Sequence, residues 1–147
     1  MKKYRFFFGS IILVTFLSCT KHHDYIYSPD KKQCITIISD KRVRYIINGK
    51  HSSIPDSNYV KLDINNGQVG DDVVGCWNNG QYDWKLINDG AKIIENKLDT
   101  LRFKFGIKFP TNNKGIPTII DFTGENCFEF GFEYNIINKH KRGIIVE

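Results

Sequence analysis

Val73-Val-Gly-Cys-Trp-Asn-Asn-Gly-Gln-Tyr-Asp-Trp-Lys-Leu86 is the stretch on which the reading of the fold turns. Asn79-Gly80 is the preferred pair for a two-residue type I′ turn, because both central residues of that turn need positive φ. Pairing outward from it sets Trp77 against Tyr82, Gly75 against Trp84 and Val73 against Leu86 on one face. Cys76, Val74, Asp83 and Lys85 take the other face. Each pair agrees in polarity, so the segment reads as an antiparallel hairpin with an apolar side.

Downstream, two more segments alternate. In Leu101-Arg-Phe-Lys-Phe-Gly-Ile-Lys-Phe109 the odd positions are apolar, and the even ones are Arg102, Lys104, Gly106 and Lys108. In Cys127 to Tyr134 the even positions are Phe128, Phe130, Phe132 and Tyr134, set against Cys127, Glu129, Gly131 and Glu133. Period-2 alternation of this kind places one face on the core and the other in water. If these two strands are neighbours, Lys104 and Lys108 face Glu133 and Glu129. Gly106 and Gly131 lie on the outer faces, where a bend or bulge is tolerated. A three-residue Gly124-Glu125-Asn126 loop joining 116–123 to 127–134 sets Phe122 opposite Phe128 and Ile120 opposite Phe130.

Extending the same reading gives strands near 33–39, 42–48, 58–64, 72–77, 82–87, 101–109, 116–123, 127–134 and 142–146, with 91–99 either a further strand or a helical turn. Gly, Asn, Asp and Pro punctuate these runs. The chain has a single alanine, Ala91, and abundant Ile, so helix propensity is weak throughout. The expectation is an all-β domain of about nine to ten short strands, an antiparallel β-sandwich or a strongly bent half-barrel.

The first residues belong to a different kind of segment. Lys2, Lys3 and Arg5 precede an apolar run from Phe6 to Leu17, the n-region and h-region of an export signal. That run is shorter than the roughly 20 residues a membrane-crossing helix needs. Leu17-Ser18-Cys19 follows, with Phe16 before it, and this resembles the lipobox of bacterial lipoproteins. The resemblance implies cleavage before Cys19 and a lipid on its sulfur. The resemblance covers only the signal; with the alternation beyond it, the expected division is a signal at 1–18, a lipidated tether at 19–30 and one all-β domain at 31–147, exported and facing the periplasm or cell surface.

The 147 residues carry 21 Lys+Arg against 16 Asp+Glu, a net +5, with 41% hydrophobic and 14% aromatic residues. Cleavage removes Lys2, Lys3 and Arg5 and leaves 18 basic against 16 acidic residues over 129. The basic excess belongs mostly to the signal. What remains is short: Lys31-Lys32, Lys41-Arg42 and a basic loop at Lys139-His140-Lys141-Arg142. That pattern argues against a nucleic-acid partner.

Candidate sites are few. Trp77, Tyr82 and Trp84 share a hairpin face and would offer a stacking platform for a sugar ring or a partner's apolar surface. Since large aromatics of an antiparallel sheet normally face inward, capping of the core is the heavier expectation. With Cys19 assigned to lipid, the domain keeps Cys34, Cys76 and Cys127. One disulfide with a leftover thiol and three separate thiols both fit this count.

His22-His23-Asp24 has metal-ligand residue types, but adjacent residues on a tether cannot preorganise a site. Asp63-Ile-Asn65-Asn66-Gly67 lacks calcium-loop spacing, and His51 and His140 stand in polar turns. No GxSxG, HExxH or phosphate loop occurs. Asp71-Asp72, Glu129 and Glu133 are the thin carboxylate candidates. No catalytic residue, metal or cofactor is assigned. The expected role is a lipid-anchored envelope lipoprotein with a non-catalytic binding or interaction function, toward a glycan or envelope protein. The alternatives are an immunity or inhibitor lipoprotein against a secreted toxin or hydrolase, and a small envelope hydrolase.

Overall fold

The structure, a computed structural model, describes residues 21–40, 42–64, 71–118, 122–133 and 135–147. The signal, Cys19, Asn65 to Gly67, Ile120 and Tyr134 lie outside the described residues.

Two sheets pack face to face as a β-sandwich, and the described residues contain no α-helix. The first sheet holds β1 (His22–Tyr27), β2 (Cys34–Asp40), β3 (Val43–Asn48), β4 (Tyr59–Asp63), β7 (Lys92–Asn96) and β11 (Ile145–Val146), in the order β11-β1-β2-β3-β4-β7. The second holds β5 (Asp72–Asn79), β6 (Tyr82–Asn88), β8 (Phe103–Gly106), β9 (Cys127–Glu133) and β10 (Ile136–Arg142), in the order β10-β9-β5-β6-β8. All pairings are antiparallel except β6 with β8. The crossover from β6 to β8 goes by way of β7, which is the strand found within the ambiguous 91–99 segment.

Inward-facing side chains build the main core. Ile26, Ile35, Ile37, Ile46, Val60 and Leu62 from the first sheet meet Val73, Trp77, Trp84, Leu86, Phe103, Phe128 and Phe130 from the second. Trp84 stacks on Phe103 with ring centroids 5.0 Å apart, and Trp77 lies 4.7 Å from Phe128. Aromatics of this size supply a large share of the apolar area removed from water. Each outer face also has its own small apolar cluster. Ile38, Ile47 and Tyr59 gather with Tyr45 and Ile54 on the first sheet. Val74, Cys76, Ile87 and Cys127 gather under Phe122 and Phe109 on the second.

The strand faces agree with the alternation, and several registers do not. In the β5–β6 hairpin Asn79 pairs with Tyr82 and Trp77 with Trp84, two residues from the expected register. The turn is therefore Gly80-Gln81, with positive φ at Gly80 in the first central position, as a type II′ turn requires. A slip of two preserves every face. Gly75 consequently sits between Leu86 and Phe128, where an added Cβ would lie 2.4 Å from Phe128 Cζ and 2.6 Å from the Lys85 carbonyl oxygen. Only glycine lets that phenyl ring lie across β5.

Three further expectations are corrected. β8 and β9 are not neighbours, since β5 and β6 lie between them, so Lys104 pairs in register with Lys85 and not with a glutamate. Strand β9 is flanked by β5 and β10, which leaves no edge for a hairpin with 116–123. Pro117 instead bridges Thr111, and Phe122 folds over the sheet face. The tether reading of 19–30 gives way at His22–Tyr27, which forms β1 and pairs with β2 and β11. The expected basic loop lies within edge strand β10, bulged where it passes Gly131. Lysines and bulges on an edge discourage further strand addition.

Candidate functional site

The candidate platform residues separate. Trp77 and Trp84 are 2% and 1% exposed and belong to the core, so neither offers a ring face for stacking, and Tyr82 stays half-buried at the rim. The indole N–H groups are satisfied internally. Trp77 Nε1 donates to the Gly143 carbonyl at 3.4 Å, and Trp84 Nε1 donates to Asn48 Oδ1 at 3.1 Å.

The second of these bonds forms part of a polar rim. Where the β1–β2 loop, the end of β3, the β5–β6 turn and the approach to β8 meet, an open cleft of about 510 Å³ lies between the sheet ends. Gln33 Nε2 donates to Asn78 Oδ1 at 2.8 Å across it. Arg102 pairs with Asp83 on the opposite wall. Asp30, Lys32 and the Gly49 backbone complete the surround. The Gln33 side-chain carbonyl oxygen is buried and has no hydrogen-bond partner. Amides, a carboxylate and a guanidinium bordering an indole edge can bind a ligand with many hydroxyl or amide groups through directional hydrogen bonds.

Cys34 also lines this cleft. Among the described residues it is the free thiol, because Cys76 and Cys127 form a disulfide across the β5–β9 pair. Burial pushes the Cys34 thiol above its ordinary value, and the Lys50 ammonium and a hydrogen bond with Tyr27 only partly offset this. A thiol held protonated is a weak nucleophile.

The opposite end of the sandwich holds a buried charge. Arg44 on β3 is fully buried. Its guanidinium makes two parallel bonds to Asp71, Nη1 to Oδ1 at 2.7 Å and Nη2 to Oδ2 at 2.8 Å. Nη1 also donates to Asn88 Oδ1 at 3.3 Å and Nε to Ser39 Oγ at 3.4 Å. Asn88 Nδ2 donates to Asp71 Oδ1 at 2.9 Å, and the Phe132 ring centre lies 3.3 Å from Arg44 Cζ. The network ties the two sheets together. Asp71, one of the carboxylate candidates, is thus a structural ion partner, and Glu129 pairs with Arg142 at 3.6 Å.

His22 and Asp24 fall on alternate positions of β1 near this network. Among the described residues no group of three His, Cys, Asp or Glu side chains is placed to hold a metal ion. His51 is tied into its turn, with Nε2 3.0 Å from the Asn48 carbonyl oxygen and its backbone N–H donating to Thr36 Oγ1.

Asp24 Oδ2 is buried without a hydrogen-bond partner. Burial raises its carboxyl above the ordinary 3.8, against the opposing pull of His22, Arg44, Lys141 and His23. The folded carboxyl takes up its proton at a higher pH than the unfolded one, so the ionised form costs stability above the raised value and the cost fades as pH falls through it. Asp24→Asn is therefore expected to stabilise the domain at pH 7, with a gain that shrinks on acidification and is absent below the ordinary carboxylate value. Urea denaturation of both chains across that range measures it. A gain that grows toward acid contradicts the assignment.

No protein-family model, curated protein or solved structure matches the chain.

Proposed function

We propose that this is a lipid-anchored lipoprotein of the cell envelope with a non-catalytic binding role, which presents the polar cleft away from the membrane to a glycan or to a polar surface of an envelope protein. The observation that carries the reading is the direction of β1. It starts at His22, three residues after Cys19, beside Ser39 and Arg44, and it ends at Tyr27 opposite Cys34, at the end of the sandwich where the cleft opens. Six residues of strand span about 20 Å, so a lipid on Cys19 holds the Arg44 end at the bilayer and the cleft at the far end.

Two features support this. The Cys76–Cys127 disulfide suits an oxidising compartment outside the cytosol. The cleft is of small-ligand size and bordered by amides and an ion pair, a hydrogen-bonding surround that suits a hydroxyl-rich ligand. An inhibitor would more naturally present an acidic or aromatic protruding loop. Among the described residues the most exposed large apolar side chain is Leu101, 82% exposed, which is aliphatic, so the binding role is preferred.

The test has two arms. Cys19→Ser is expected to abolish palmitate labelling and the mature-size band in membranes of the producing cell. Envelope saccharide fragments titrated onto the wild-type chain are expected to change Trp84 emission, and Asp83→Ala/Arg102→Ala to weaken binding about tenfold or more. Unchanged labelling removes the anchor, and no saccharide-dependent change removes the glycan role.

A further inference from the structure

The outer face of the second sheet gathers three lysines around one depression that shares no lining residue with the cleft. Lys85 on β6 and Lys104 on β8 are register partners on adjacent strands, and Lys108 follows two residues after β8 ends. With Ile87, Phe105 and Pro110 they line a pocket of about 170 Å³.

What sets this group apart is convergence: among the described residues, three cations share one depression with no carboxylate between them. Elsewhere Arg44, Arg102, Arg142, Lys31, Lys32, Lys50 and Lys97 each have a carboxylate oxygen within 4.0 Å. Among the described residues no carboxylate comes that close to Lys85, Lys104 or Lys108. Two of the three are held against rings instead, Lys85 Nζ 4.7 Å from the Phe122 centroid and Lys104 Nζ 5.6 Å from that of Tyr82. Like charges directly opposite on neighbouring strands destabilise a sheet, and a third cation beside them adds to the repulsion. An anion seated between them reverses the sign of that interaction.

We propose that this pocket is a binding site for a phosphoryl group attached to a short apolar body, the chemistry shared by a soluble organic phosphate monoester and a lipid whose head group is a phosphate monoester. A phosphoryl group brings a charge of about −1.5 to −2 and three acceptor oxygens, a closer match to three ammonium groups than a single carboxylate. Lysines bind phosphate as point charges from several directions, which suits three flexible stems converging from two strands and a loop. Ile87 and Pro110 give the apolar body a surface to cover.

Calorimetric titration of the full-length chain in neutral maltoside micelles, with inorganic phosphate and separately with hexyl phosphate, tests the site. The expected result is saturable binding that is about tenfold or more weaker in Lys104→Gln/Lys108→Gln and unaffected by Arg102→Gln in the cleft. Lys104 and Lys108 are both exposed, so their replacement leaves the fold intact, which near-ultraviolet circular dichroism verifies. Tighter binding of hexyl phosphate than of inorganic phosphate supports the apolar body, and equal binding of the two overturns it. Saturation by neither probe, an unchanged affinity in the double lysine variant, or an equal loss in Arg102→Gln overturns the proposal.

Discussion

Asp71→Ala is expected to destabilise the domain by about 3–5 kcal/mol, because it leaves a buried guanidinium without its counter-charge. Arg44 is 0% exposed at its side chain, whereas Asp71 is 27% exposed. The two partners therefore respond differently to loss of the other. Without Asp71, the cation's remaining direct partners are Asn88, Ser39 and the face of Phe132, none of which carries an opposite charge, and the Asp24 carboxyl acts on it through space without a hydrogen bond. Without Arg44, as in Arg44→Met, the Asp71 carboxylate turns toward the water it already touches, and the methionine fills much of the arginine stem's volume. The cost of Arg44→Met is accordingly expected to be clearly smaller, about 1–2 kcal/mol. The double variant is expected to recover a large part of the Asp71→Ala loss, since replacing both members of a buried pair removes the stranded charge. Urea denaturation midpoints of the three chains decide the matter. Arg44→Met falling at or below Asp71→Ala in stability would show that the pair acts through packing and not through charge.

Arg44 also marks where sequence reasoning stopped short. Val43-Arg-Tyr-Ile-Ile-Asn48 is apolar on both faces of the strand apart from Arg44 and Asn48, the pattern of a strand covered on both sides. A charge in such a strand must be buried with a partner, and that signal was present. Its partner was not legible, because Asp71 comes from a segment 27 residues away whose approach depends on how the second sheet is laid over the first. The same division runs through the fold. Alternation identified the inward faces of β8 and β9, down to Phe103, Phe128 and Phe130, since a period of two is a local property of the chain.

Neighbour relations are non-local, set by contacts that no single segment contains. β8 entered the sheet beside β6 in parallel, a placement that alternation cannot encode. The hairpin register slipped by two because Asn79-Gly80 and Gly80-Gln81 both provide a glycine for a tight turn. The contact that selects the second, Phe128 crossing Gly75, comes from β9. The cleft was invisible for a related reason: Gln33, Asn48, Asn78 and Arg102 stand at strand ends with no motif in common. His22 to Tyr27 resembles a tether in sequence because its polar start hides a strand whose inner face includes Ile26.

The Cys76–Cys127 disulfide carries the second large effect. Its two cysteines are separated by 51 residues, and closing a loop of that size in the unfolded chain corresponds to about 4 kcal/mol of lost chain entropy. Cys76→Ala/Cys127→Ala is therefore expected to destabilise the domain by about 4 kcal/mol and to lower Tm by on the order of 10 °C. The cystine also sits in the small apolar cluster with Val74, Ile87 and Phe122. Its loss removes packing from beneath the segment that Phe109 and Phe122 fasten to the sheet, and the urea transition of that variant is expected to fall further than entropy alone requires. Cys34→Ala serves as the comparison. Its thiol is unpaired and only half-buried, so the change is expected to stay within about 0.5 kcal/mol. Dithiothreitol added to the wild-type chain is expected to reproduce the fall seen in the double variant and to leave the double variant itself unmoved. That pairing of treatments isolates the bond from the side chains. If the reduced wild-type chain unfolds at the same urea concentration as the oxidised one, the covalent link contributes nothing, and the apolar cluster alone holds the covering segment to the sheet.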